Sequence, residues 1–226
     1  MTYKLLIGQK SYSSWSLRGW LPFAIFDIPV EVSSAVIYSD AFADDVAAFG
    51  GSKTVPAVVT PDGGMLSDSL AIAWYLAEAF PEKNLLPSDP IQRAKAMSIT
   101  AEMHSGFTAL RGACPMNLRY GWEGFVPSPE VLVDLARIEA IWADALDMSG
   151  GPFLFGGYSI ADAFYAPIAT RIVTYDLSVS AQTQSYIDAH LALPQMKKWR
   201  EDGLREDDEV PLYNKPLERR PFPMPS

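Results

Sequence analysis

Apolar residues recur along this chain in two rhythms, and the change from one to the other divides it. Residues 4–7 hold the unbroken run Leu5-Leu6-Ile7, which reads as a buried strand. From Leu17 onward the apolar positions Leu17, Trp20, Leu21, Ala24, Ile25 and Ile28 follow the spacing of an amphipathic helix. Pro22 falls inside that helix, where it removes a hydrogen bond and bends the axis. "VEVSSAVIY" (30–38) reads as a second strand. "PAVVT" (56–60) and "MLS" (65–67) flank Asp62-Gly63 and read as a hairpin. Ser69 to Phe80 is apolar nearly all round, as a helix packed against both a sheet and a neighbour must be.

After this strand, helix, strand, hairpin and helix comes "FPEKNLLPSDP" (80–90), whose three prolines mark a linker. Beyond it strand signals nearly vanish, and residues 91–120, 129–148, 159–178 and 183–202 carry helical spacing. The expected fold class is therefore an α/β first domain, residues 1–80, then a linker, 81–90, and an all-helical domain, 91–205. The final sixteen residues contain five prolines, so 206–226 are expected to form an extended tail lying on the protein or disordered.

Composition narrows the function classes. A net charge of -9 argues against a nucleic-acid surface or an anionic membrane surface, both of which call for clustered Lys and Arg. The one cysteine, Cys114, excludes an intrachain disulfide and speaks against a cysteine-rich metal site. The opening apolar run is too short for a secretory leader, and no apolar stretch is long enough to span a bilayer, so a reducing cytoplasm is the default.

Four motifs carry candidate chemistry. "SYSSWSLR" (11–18) crowds serines where the first strand hands over to the helix. One hydroxyl suffices as a cap, so a second is free to donate outward at a helix end that already favours an anion. "KTVPAVV" (53–59) puts a proline at a strand entrance. A cis bond there would leave the N–H and C=O of Val55 facing an extended, peptide-like ligand. "SDSLAIAWYL" (67–76) offers Asp68 and Ser69 at a helix start, suited to an ammonium and a carboxylate respectively. In "GGYSIADAFYAPI" (156–168), Ser159 and Asp162 form a capping box whose value is structural, with Asp162 buried. Cys114 reads as a structural thiol. His104 is a ligand-site candidate because its helix faces the first domain if the helices pack beside it.

In this order and spacing, from residue 3 to about 202, the chain resembles the soluble glutathione transferase family. "SSWSLR" is similar to the zeta-class signature, "TVPAVV" to the family's cis-proline segment, "SDSLAIAWYL" to its γ-glutamyl-binding segment and "SIADAFYAP" to its second-domain capping box. The resemblance implies a thioredoxin-like first domain, glutathione as co-substrate, a small electrophile as second substrate, and a homodimer. It matches Ser13 to the thiol-activating hydroxyl, with Ser14 and Arg18 beside it. Lys53, Val55 and Pro56 fall in the segment pairing with the cysteinyl backbone, and Asp68 and Ser69 match the γ-glutamyl pair. Trp15 stands where the zeta signature has a cysteine, and Trp20 where it has a second arginine; these departures bear on the zeta isomerase reaction and not on glutathione binding. Physical reasoning from the sequence leaves Ser13 and Ser14 equivalent, since both lie at one helix mouth. The electrophile is expected against Trp15, Phe107 and His104, with Arg111, Arg119 and Arg171 as candidate carboxylate partners. The absence of cysteine in 9–20 argues against a mixed-disulfide mechanism. The competing class is a protein of this fold that binds without catalysis.

Overall fold

The computed structural model describes residues 2–50, 52–206 and 209–224. The first domain runs β1 (Tyr3–Ile7), α1 (Ser14–Ile25), β2 (Val30–Ser34), α2 (Phe42–Gly50), β3 (Ala57–Val59), β4 (Met65–Ser67) and α3 (Ser69–Ala79). The strands lie in the order β2-β1-β3-β4, with β1 parallel to β2 and antiparallel to β3, and β3 antiparallel to β4. This is the βαβ-ββα arrangement of a thioredoxin-like domain. Side chains alternate across β1, which explains its unbroken apolar run. Leu5 and Ile7 join Leu17 and Leu21 of α1 and Ile72 of α3 in the main core, while Leu6 turns to the other face with Val46 of α2 and Ala57.

Sequence periodicity did not predict α2. The helix is nine residues long and only Val46 is fully buried; Phe42 and Phe49, at helical spacing around it, are partly buried against the same small cluster, so its core-facing stripe is too short to stand out. The second strand ends at Ser34 instead of Tyr38, because the chain turns away to form an exposed loop. The first helix starts earlier than its apolar spacing shows, at Ser14.

The second domain contains α4 (Pro90–Ser105), α5 (Thr108–Ala113), α6 (Pro129–Ser149), α7 (Ile160–Thr174), α8 (Ala181–Ala192) and α9 (Pro194–Leu204). Two expected helices are each divided. The 91–120 stretch breaks where Phe107 adopts a left-handed conformation (φ 57°) and ends before Pro115, while the 183–202 stretch breaks at Pro194. A strand also survives in this half: β5 (Tyr120–Trp122) pairs antiparallel with β6 (Arg219–Pro221) from the proline-rich tail. The described part of the tail, 209–224, therefore lies on the protein, and a sheet edge gives it a partner.

The central helix α7 is buried on almost every side and docks on α1. Across the same boundary Trp20 packs on Trp199 with ring centroids 4.8 Å apart, and the Trp199 indole donates to the Lys10 carbonyl at 2.9 Å. The capping box starts α7 as expected. Fully buried, Asp162 accepts from the Ser159 N–H and hydroxyl, each at 2.8 Å, from the Leu154 N–H at 3.0 Å and from the Tyr186 hydroxyl at 2.9 Å. Burial raises its pKa to about 6 against the opposing pull of these donors.

Replacing Asp162 with Ala leaves buried donors without an acceptor, a loss of about 3–5 kcal/mol. We expect Asp162→Ala to lower the urea midpoint sharply without altering any cavity residue, as followed by circular dichroism. A second prediction concerns pH. His190 is fully buried among the rings of Phe153, Tyr158 and Tyr186, and burial lowers its pKa to about 3. A group depressed on folding contributes stability above its unfolded pKa of about 6.5 that is lost as pH falls toward 3. His190→Leu should therefore flatten the acid side of a melting-temperature profile, which differential scanning fluorimetry between pH 7 and 4 would read.

Candidate active site between the two domains

The crowded serines divide their work. Ser13 has the extended conformation of an N-cap (φ -83°, ψ 92°) and accepts from the Ser16 N–H at 3.3 Å. Its own hydroxyl donates to the Ser16 hydroxyl oxygen at 2.7 Å, and that oxygen also accepts from the Gly8 N–H at 2.9 Å. Ser13 and Ser16 thus knit strand to helix. The Ser14 oxygen instead accepts from Nη2 of Arg171 at 3.1 Å, and its proton has no acceptor among the described residues. Arg171 comes from α7, where its Nε donates to the Cys114 carbonyl at 2.8 Å and Nη1 is buried with no acceptor among the described residues. Burial, and then the Arg111 charge, lower its pKa to about 10, which leaves it cationic at neutral pH.

Both serines line a cavity of about 900 Å³ at the junction of the domains. Its first wall is Tyr12 to Trp15, and its second is the loop after β2 from Ile37 to Phe42, with Thr54 and Val55 beside it. The second domain contributes Arg111, Met116 and Arg171, and the tail contributes Leu212, Tyr213 and Lys215.

Val55-Pro56 is cis, as the family resemblance implies. Neither the N–H nor the C=O of Val55 pairs with other backbone among the described residues. Helix α1 reaches this loop through Gly19, where an added Cβ would stand 2.7 Å from the Pro56 ring; only glycine permits the approach that sets Val55 beside the serines. Asp68 caps α3 through the Leu70 N–H at 2.7 Å from a left-handed conformation (φ 82°), a strained state for a non-glycine residue of the kind that clusters at functional sites. Its second oxygen lies 3.4 Å from Nε2 of His104, whose ring edge meets Trp15 at 5.2 Å. Burial lowers the His104 pKa, with Asp68 opposing. The Ser69 hydroxyl is buried without a partner among the described residues. Asp68, Ser69 and His104 therefore form a group at the α3 end, outside the lining of the cavity, while Lys53 is exposed and bonds to none of the described side chains.

Arg18 is placed differently from the expectation. It is fully buried, with its guanidinium 4.9 Å from the Trp15 ring and 5.5 Å from Phe164, and none of its nitrogens has an acceptor among the described residues. Burial, then Arg171 and Arg111, hold it well below the ordinary arginine range. It lies in the domain interface because α1 turns that face toward α7. Among the electrophile candidates, Trp15, Arg111 and Arg171 line the cavity, whereas Phe107 and Arg119 do not. Cys114 is buried and its thiol is raised to about 12, in keeping with a structural role.

Residues 12–79 match the family model described as glutathione S-transferase, N-terminal domain. A probable maleylacetoacetate isomerase of Caenorhabditis elegans is 27% identical over 76% of this chain and 79% of its own length. A glutathione transferase homologue from Burkholderia, solved with bound glutathione, superposes with a TM-score of 0.69 at 21% identity, covering 91% of this chain and all of that one. A maleylacetoacetate isomerase from Anaeromyxobacter dehalogenans, solved with glutathione in its active site, superposes at 0.63 with 23% identity over 92% of this chain and 97% of its own. Residues 12–79 thus carry a glutathione S-transferase N-terminal domain, and the whole chain has the glutathione transferase fold.

The cavity is marked by its charge and by its walls. Three cationic side chains, Arg111, Arg171 and Lys215, face it against one carboxylate, Asp40, in a protein of net charge -9. Trp15 has the Arg111 guanidinium over its ring at 4.9 Å, the same distance as Arg18. Tyr12, Tyr38, Tyr213 and Lys215 were not singled out from the sequence. The tail residues are more than 150 positions from the serines and follow no periodicity, so only the fold brings them together.

A cationic cavity beside an indole makes anion binding visible. Succinate should change the Trp15 contribution to fluorescence in wild type and leave a Trp15→Phe protein silent. Arg111→Ala should weaken that binding by about tenfold, and added salt should weaken it further.

Proposed function

We propose that this protein is a glutathione-dependent transferase in which the Ser14 hydroxyl, polarised by Arg171, holds the glutathione sulfur as a thiolate for attack on a small anionic electrophile. The bond from Arg171 to Ser14 carries this reading. An oxygen that accepts from a guanidinium has its own O–H polarised, and that O–H points its donor capacity at the cavity. Ser13, with its hydroxyl spent on Ser16, supports the helix end. The family resemblance favours Ser13 as activator, and the geometry favours Ser14.

The energies suffice. Lowering a thiol pKa by two units takes about 2.7 kcal/mol of preference for the anion. A hydrogen bond to a charged group contributes about 1.5–3 kcal/mol, and a helix N-terminus adds roughly 0.3–2 kcal/mol. No general base is required. The free N–H and C=O of Val55 suit the cysteinyl backbone of glutathione, and Asp68 with Ser69 suits its γ-glutamyl end.

In an addition, the sulfur–carbon bond forms as the π pair moves toward an electron-withdrawing carbonyl, and the proton lost by the thiol returns to carbon. In a substitution, a leaving group departs with its bonding pair. In a cis–trans isomerisation, the sulfur–carbon bond forms, the former double bond rotates, and the same bond breaks to regenerate glutathione. The relatives named maleylacetoacetate isomerase support this last version, and Arg111, Arg171 and Lys215 suit an electrophile that carries a carboxylate. The reading includes a homodimer, usual for the family, working in the cytoplasm.

The test follows the ultraviolet thiolate band of bound glutathione against pH. Wild type and Ser13→Ala should show a bound pKa at least one unit below that of free glutathione. Ser14→Ala should bind glutathione and return the pKa to the free value, a loss of about 1.4 kcal/mol or more. The shift lost in Ser13→Ala and kept in Ser14→Ala would move the role to Ser13, and an unshifted wild type would replace catalysis with binding alone.

A further inference from the structure

The proline-rich end of the chain brings more than the Lys215 charge, for it forms a wall of the cavity. It is pinned on both sides of the residues that do so. Downstream, β6 pairs with β5, the Glu123 N–H donates to the Glu218 carbonyl at 2.9 Å, and the Arg219 guanidinium stacks 4.0 Å from the Tyr120 ring. The Tyr120 hydroxyl donates to Oδ1 of Asn214 at 2.6 Å. Upstream, Val210 is buried. Between them Pro211–Tyr213 makes a single tight turn, closed by Tyr213 N–H to the Val210 carbonyl and Asn214 N–H to the Pro211 carbonyl, each at 3.0 Å. Tyr213 is thus delivered to the cavity by a fixed turn.

Its ring meets Tyr12 edge-on at 5.9 Å and Tyr38 at 6.2 Å, and its hydroxyl lies 3.2 Å from the Tyr38 hydroxyl. Tyr38 belongs to the other domain, on the exposed loop after β2, and it holds a left-handed conformation (φ 65°) that costs a bulky residue free energy. A strained tyrosine reaching across a domain boundary to a pinned one closes one side of the space beside Ser14. All four residues line the same cavity.

We propose that Tyr213 is a specificity-determining residue for the electrophile: with Tyr38 it bars the mouth between the tail and the first domain and limits the size of the group attached to sulfur. This rests on the glutathione reading. It assigns the tail a place in the site, and it makes the Tyr38–Tyr213 contact the adjustable part, since breaking it leaves the β5–β6 anchor intact.

Graded S-alkyl glutathiones test this without any turnover, because their alkyl group occupies the electrophile side. The affinities of S-methylglutathione and S-hexylglutathione for the full chain are measured by calorimetry, and their ratio is the readout. Wild type should prefer the methyl compound. Tyr213→Ala should shift the ratio toward the hexyl compound by tenfold or more. Tyr213→Phe, which keeps the ring packing and loses only the bond to Tyr38, should shift it the same way by about threefold. The second variant keeps the test valid if the first does not fold. Glutathione bound normally by wild type with an unchanged ratio in both variants would overturn the assignment of Tyr213 alone. A wild type that binds neither glutathione nor S-methylglutathione would overturn the underlying reading.

Discussion

Arg171, a guanidinium taken out of water, finds one acceptor in each domain and so ties the two together beside the cavity. Arg171 sits on the most buried helix of the second domain. It meets its need partly at home, on the Cys114 carbonyl, and partly abroad, on Ser14 at the start of the first domain's first helix. Losing either acceptor would leave more of a buried charge unpaired, and the bond that meets the Ser14 hydroxyl is also one that spans the two domains. The packing of α1 on α7 and of Trp20 on Trp199 supplies the area that makes this geometry affordable.

From that bond the rest of the site follows by close approach. Gly19 lets α1 lie against Pro56, which brings the open backbone of Val55 next to the helix mouth. Ser13 and Ser16 tie the same mouth to the end of β1 through Gly8. A hydroxyl donor and an open stretch of backbone therefore converge, although they come from residues 14 and 55. The tail adds its own wall from the far end of the chain.

The first domain was legible in the sequence because its signals are local. The apolar run of β1, the spacing of α1, the hairpin turn and the Asp68-Ser69 cap each depend on neighbours within a few residues. The capping box at Ser159-Asp162 was legible for the same reason. The division of labour between Ser13 and Ser14 was not, because it is decided by Arg171, far away in sequence. Arg18 was expected beside the thiol from its place in the motif. Its direction is set by the face α1 turns to α7, and it lies within the interface. Helix α2 has too little buried surface to mark itself, and the β5–β6 pair hides among prolines and charges until the tail folds back. Local chemistry wrote the elements; long-range contacts chose which of their side chains face the cavity.

The lone cysteine acquires a meaning from its surroundings. A protein that handles glutathione works among disulfides of its own co-substrate, and any accessible thiolate would exchange with them. Cys114 lies buried, and burial raises its thiol to about 12, so it stays protonated at neutral pH. The chain has no second cysteine. On the proposed reading, activity built on hydroxyls would be insulated from the redox state of its surroundings: oxidised glutathione could compete for the site, but among the described residues it would meet no exposed thiol to exchange with.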